Sequence, residues 1–172
     1  IDLTGNKIAP RSRYFADCIS VNASLKSIDI GYNRIIQPIA IELIGKFKTK
    51  QLVSVGLACC CLGVEGGNAV ADYIADSTSL AEIDLRHNKL CGLDDYGDGT
   101  YNAACIKAIA QAISVSTSLT SINLGWDRIA SDGAKYVADG ISISTLLTHV
   151  VLEYNQIGPE GAKHIAEGIS VS

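Results

Sequence analysis

With 172 residues and 48% apolar side chains the chain can fill one core, and with only 6% aromatics that core must be aliphatic. A net charge of −4 and a pI near 5.3 set it apart from nucleic-acid-binding domains, which gather basic residues on one face. No apolar run approaches the roughly 18 residues of a membrane span.

The elements recur, and the recurrence governs their reading. The chain opens on Ile1, Leu3, Asn6 and Ile8, the register of a unit entered late. Leucines at 25, 52, 80, 119 and 147 then lead five further units, at intervals of 27, 28, 39 and 28. An aliphatic residue stands three positions after each leader, at Ile28, Val55, Ile83, Ile122 and Val150. Another stands five after, at Ile30, Leu57, Leu85, Leu124 and Leu152. Eight after come Asn33, Cys60, Asn88, Asp127 and Asn155, and ten after come Ile35, Leu62, Leu90, Ile129 and Ile157. The first half of each unit alternates in twos, which predicts a strand. The second half runs in threes and fours, which predicts a helix, with apolar faces at Ala40, Leu43, Ile44 and Phe47; at Ile106, Ile109, Ala110 and Ile113; at Ala134, Val137, Ala138 and Ile141; and at Ala162, Ile165, Ala166 and Ile169. Gly66, Gly133 and Gly161 are expected just before three of these helices. One unit cannot bury its apolar side alone, but stacked units share a continuous core. At the asparagine position a side-chain amide can satisfy backbone groups in the turn that leaves each strand.

The strings LTSINLGWDRIASDGAKYVADGI and LTHVVLEYNQIGPEGAKHIAEGI resemble the leucine-rich repeats of the ribonuclease-inhibitor type. The resemblance covers the whole chain, residues 1–172, as one domain of about six repeats. It implies an α/β solenoid, a curved right-handed coil with a parallel sheet on the concave side and helices on the convex side. Relatives include intracellular sensors and a GTPase-activating protein of nuclear transport, so the fold leaves function open. The sequence has no methionine and starts inside an apolar alternation. A piece of a longer solenoid is therefore expected, with further repeats on both sides and end-to-end pairing of the fragment.

The fourth unit, 39 residues long, carries about 11 extra residues, placed in an insert at about 92–103. GLDDYGDGTYNA is expected to be a flexible loop on the rim where the strands end, with Tyr96 and Tyr101 offered to a partner. A calcium loop is disfavoured, because the twelfth position counted from Asp94 is Cys105 and not glutamate.

No nucleotide, zinc-protease or nucleophile-elbow motif is present, and neither a cofactor, a metal nor an enzymatic activity is expected. The six cysteines, Cys18, Cys59, Cys60, Cys61, Cys91 and Cys105, suit no disulfide framework or zinc spacing. They read as reduced, buried thiols of a cytoplasmic protein. Cys59 and His87 share one position in adjacent units, where a pair with Asp84 or Asp29 would mimic a cysteine nucleophile and its base. Two unrelated side chains on a sheet face are expected instead. His164 reads as solvated on the polar side of the last helix, and His149 as pointing out of the last strand. Lys46, Lys48 and Lys50 suit the end of a helix dipole. Asn22-Ala23-Ser24 is a glycosylation sequon.

The expected function is a scaffold that binds another protein. Regulation of a small GTPase through the same kind of surface, or a structural or assembly role, is the alternative. Four positions after each leader lie Asp29, Gly56, Asp84, Asn123 and Val151; seven after lie Tyr32, Cys59, His87, Trp126 and Tyr154. Both columns are expected on the concave sheet face. The partner-binding residues are then Tyr32, His87, Trp126 and Tyr154 with Asp29, Asp84, Asn123 and Glu153. The acids suggest a protein with a basic patch, and neither nucleic acid nor membrane is expected as a partner. Aromatics that merely cover Gly31 and Gly125 are the competing explanation.

Overall fold

A computed structural model describes residues 1–8, 17, 19 and 21–171, so Cys18 lies outside the described residues. The units fold as strand, turn and helix in chain order: β1 (Ser27–Asp29), α1 (Gln37–Phe47), β2 (Ser54–Gly56), α2 (Gly63–Asp76), β3 (Glu82–Asp84), α3 (Ala104–Val115), β4 (Ser121–Asn123), α4 (Ala130–Ile143), β5 (His149–Val151) and α5 (Gly158–Val171). The strands form one parallel sheet in sequence order. Its register aligns Ile28, Val55, Ile83, Ile122 and Val150, as the spacing requires. The expected first unit supplies a bridge from Asp2 to Asp29 and a left-handed turn at Gly5 and Lys7 but no named strand, so five units are complete among the described residues. No described helix is long and apolar enough to cross a membrane.

The ladders build the core. Ile30, Leu57, Leu85 and Leu124 are all fully buried, as are Ile35, Leu62, Leu90 and Ile129. The helical faces of α1 and α3 are buried as expected, and Ile141 of α4 is half-buried. The face of α5 differs: Ala162, Ala166 and Ile169 are exposed and Ile165 is half-buried. The same stripe that α4 buries against α5 has no further described helix to meet. Strands pair about 4.8 Å apart, whereas helices pack 8–10 Å apart. Equal numbers of each therefore bend the stack toward its sheet, whose β1 edge meets residues 1–3 and whose β5 edge pairs with no further described strand.

Two recurring details hold the units in register. Gly66, Gly133 and Gly161 lie inside the first helical turns, not before them. A Cβ there would come within 2.8, 2.6 and 2.4 Å of Leu62, Ile129 and Ile157, the last ladder residue of the same unit. The other detail is the turn before each leading leucine. Ser77 Oγ accepts from the N–H groups of Ser79 and Leu80, and Ser116 Oγ from those of Ser118 and Leu119. Ser144 and Asn22 serve Leu147 and Leu25 alike, so the sequon asparagine occupies a structural turn.

The cysteines only partly meet expectation. Cys60, Cys91 and Cys105 are buried free thiols, Cys59 is half-buried and Cys61 is exposed. Of the three lysines only Lys46 lies in the last turn of α1; Lys48 bridges to Asp76 at the end of α2 at 2.9 Å, and Lys50 Nζ donates to the Asn22 carbonyl.

The insert carries internal bonds of its own. Leu93 and Gly99 form an antiparallel bridge, and Asp94 Oδ1 accepts from the N–H groups of Tyr96 and Asp98. Tyr101 donates its hydroxyl to the Ile129 carbonyl at 2.6 Å and packs on the core, so it is an anchor rather than a partner contact. Tyr96 is 90% exposed.

Candidate functional site

Each strand ends in a turn whose geometry repeats. The residues seven and nine after the leader adopt left-handed backbone: Tyr32 (φ 56°) and Arg34, Cys59 and Cys61, His87 (φ 60°) and Lys89, Trp126 (φ 62°) and Arg128, Tyr154 (φ 53°) and Gln156. Each such residue costs on the order of 1 kcal/mol. Between them the ladder residue points inward. Asn88 is typical: Oδ1 accepts from the N–H groups of Cys60 and Leu62, and Nδ2 donates to the Leu57 and Leu85 carbonyls. Because Cys59, Lys89 and Gln156 share the strained conformation, it belongs to the turn and not to the aromatic residues. Cys61→Gly, at an exposed φ of 50°, should therefore raise stability by about 0.5–1 kcal/mol in a denaturant titration. A loss of stability would place that residue outside the left-handed region.

The column seven after the leader thus stands on the rim beyond the strand ends, not on the sheet face where alternation places it. Three of its members meet. The Trp126 and Tyr154 rings stack with centroids 4.0 Å apart, and His87 meets Trp126 edge-on at 6.2 Å. Trp126 is 47% and Tyr154 68% exposed. Tyr32, also exposed, stands apart from them beyond the Cys59 turn. His87 Nε2 lies 3.8 Å from Asp95 Oδ1 of the insert, and Arg128 Nη2 donates to the Asp95 carbonyl. His87, Asp95, Trp126, Arg128, Tyr154 and Gln156 line a cleft of about 410 Å³. A Cβ at Gly31 would meet Ala58 and Asp29, and one at Gly125 would meet Glu153 and Asn123.

Asp29, Asp84 and Asn123 do line the sheet face, in an open trough of about 450 Å³. Asp2, Glu82 and His149 join them there, and no lysine or arginine lies among the lining residues. Part of the column's chemistry is internal. Asp29, Asp84 and Asn123 each accept from the N–H two residues on. Burial pushes the Asp84 carboxyl up, its Arg86 partner pulls it down, and the Asp29 charge adds to the rise. Glu153 is exposed and lies over Gly125, beside Trp126.

Three members of the cleft, Asp95, Arg128 and Gln156, were not among the expected residues. Asp95 belongs to the insert, which has no register. Arg128 has a signal, since Arg34 and Lys89 occupy the same position. Glu82 and His149 were also within reach, because positions two and four after the leader share a strand face. For Cys59, burial comes first in raising the thiol above its usual range, with Cys61 and Asp95 adding to it. That disfavours a thiolate, and His87 is engaged with Asp95 and Trp126 instead. No group of three or more metal-ligating side chains occurs among the described residues. His164 is half-buried between Glu160 and Glu167, and His149 is exposed.

A Leucine Rich repeat family model matches residues 144–166. Comparison with curated proteins gave no match. Among solved structures, the tropomodulin C-terminal domain of Caenorhabditis elegans superposes with a TM-score of 0.71 at 12% identity, over 94% of this chain and 92% of that one. Leiomodin-1 actin-binding site 2 gives 0.68 at 12% identity, over 90% and 87%. The leucine-rich repeat-containing protein LegL7 of Legionella pneumophila gives 0.65 at 18% identity, over 98% of this chain and 51% of that one. With the strand register, these define the class: the chain has the leucine-rich-repeat fold of the ribonuclease-inhibitor type.

Proposed function

We propose that the chain is a protein-binding scaffold whose partner lies along the rim row of His87, Trp126 and Tyr154 and places a basic segment over the trough. The observation that carries this reading is the stacked, solvent-exposed Trp126–Tyr154 pair, the only tryptophan of the chain on a rigid turn. Large aromatics held in this way are the residue types enriched at interface hot spots. Asp2, Asp29, Glu82 and Asp84 supply the complementary charge, and Tyr32 extends the row at its far end.

The test is an affinity measurement on partners recovered with the wild-type protein. Trp126→Ala and Tyr154→Ala should each weaken binding by about 2 kcal/mol, roughly 30-fold. The loss should come without an equivalent fall in thermal midpoint, and binding should weaken as salt rises. A folded double variant that keeps its affinity would move the interface to the helical face.

A further inference from the structure

The ladder that carries the row has one member of the wrong chemistry. Asn33, Asn88 and Asn155 each donate an amide hydrogen to two strand-end carbonyls, one in their own unit and one in the unit before. For Asn33 these are Ile30 and Leu3, for Asn88 Leu85 and Leu57, and for Asn155 Leu152 and Leu124. Cys60 keeps the pattern weakly through its thiol, with Sγ 3.7 Å from the Ile30 carbonyl and 3.6 Å from that of Ala58. Asp127 keeps only the accepting half of the pattern, in which Oδ1 takes the N–H of Asn88 at 2.7 Å and of Leu90 at 3.3 Å. Its Oδ2 is buried without a partner. The repeating register sets that oxygen where the other residues carry a donor, toward the carbonyls of Leu85 and Leu124. An ionised carboxylate would present lone pairs to lone pairs there; a carboxylic acid would have the missing hydrogen.

We propose that Asp127 is held as a neutral carboxylic acid at neutral pH, its Oδ2–H donating to the carbonyl of Leu85 or Leu124, and that its ionisation loosens the turn that carries Trp126 and Arg128. The surroundings agree. Asp127 is 1% exposed. The titratable side chains that face it are Asp84 of β3, Cys91 after the ladder turn and Cys105 of α3, none of them cationic. Arg128, next in sequence, gives its guanidinium to the insert, and Lys89 contributes its main-chain N–H. Burial accordingly drives the carboxyl well above its ordinary range, against the backbone N–H groups that lower it. Trp126 and Arg128 are the neighbours of Asp127 in the chain, so the protonation state of one buried oxygen bears on the wall of the cleft. That consequence for binding rests on the function proposed above; the protonation itself does not.

The sign follows from linkage. Below the ordinary carboxylate range both folded and unfolded chains are protonated, and nothing is lost. Above it the unfolded chain ionises while the folded chain keeps its proton. The folding equilibrium then falls about tenfold per pH unit until the folded group titrates. Asp127→Asn restores the ladder amide and removes this dependence.

The experiment compares thermal midpoints and Trp126 emission of wild type and Asp127→Asn between pH 4 and 9, without any partner. The advantage of the variant should grow with pH, by about 5 °C or more across the range. The difference infrared spectrum at neutral pH should show a protonated carboxyl in wild type alone. The wild-type indole emission should shift at the alkaline end while that of the variant does not. His87 and Tyr154, which also face the indole, are present in both chains and cancel. A midpoint difference that is constant with pH, or no protonated carboxyl, overturns the proposal. A growing difference with unchanged emission keeps the neutral acid and overturns its link to the row. Neither result depends on whether a partner binds, which the Trp126 and Tyr154 variants decide.

Discussion

Asn88→Ala is expected to destabilise the chain by about 3–5 kcal/mol. The side chain is fully buried and closes five hydrogen bonds across two units. Its removal strands the N–H groups of Cys60 and Leu62 in an aliphatic core, and each buried orphan costs about 1–3 kcal/mol. The carbonyls of Leu57 and Leu85 lose a donor as well. A chain of this size loses about 2–4 °C of thermal midpoint per kcal/mol, so the shift should be on the order of 10 °C. A loss below about 1 kcal/mol would mean that water takes the place of the amide.

Leu124→Ala should cost about 2–5 kcal/mol for a different reason. Leu124 is fully buried in the sheet-side ladder, between Leu85 and Leu152 of adjoining units. Truncation removes its contacts with both neighbours and leaves a cavity that rigid strands on either side cannot close. Lys135 of α4 and Glu167 of α5 are exposed, and changes there should stay within about 0.5 kcal/mol when all three variants are compared by urea titration. Equal losses at Leu124 and Lys135 would contradict the burial that the register assigns.

The register was legible because it is redundant. Ile28, Val55, Ile83, Ile122 and Val150 repeat one spacing, and any one of them confirms the others. The rim was less so. Alternation in twos carries a residue seven after the leader onto the sheet only if the strand lasts that long, and these strands stop at four. The left-handed turn that follows turns Tyr32, His87, Trp126 and Tyr154 outward along the edge. No glycine or asparagine stands at those positions to announce positive φ; the ladder bonds impose it. Tyr101 reads as exposed because it is an aromatic in a glycine-rich stretch, whereas its hydroxyl ends on the Ile129 carbonyl of the next unit. Asp95 lay beyond any reading by repeats, since the insert occurs once. The identity of a partner was not legible at all: recurrence encodes packing, and the positions where the repeats differ are the ones that recurrence does not explain.

The bridge between Leu93 and Gly99 makes the insert a ready graft point. Strand pairing runs unchanged on one side of it, from Ile83 to Ile122, and α3 resumes its stacking on the other. Length added between those two residues is absorbed locally and is not passed on to later units. Opposed residues of an antiparallel pair stand about 5 Å apart, the separation at which a foreign hairpin begins and ends. A peptide displayed there would be held beside Trp126, provided that Asp95 keeps its contacts with His87 and Arg128.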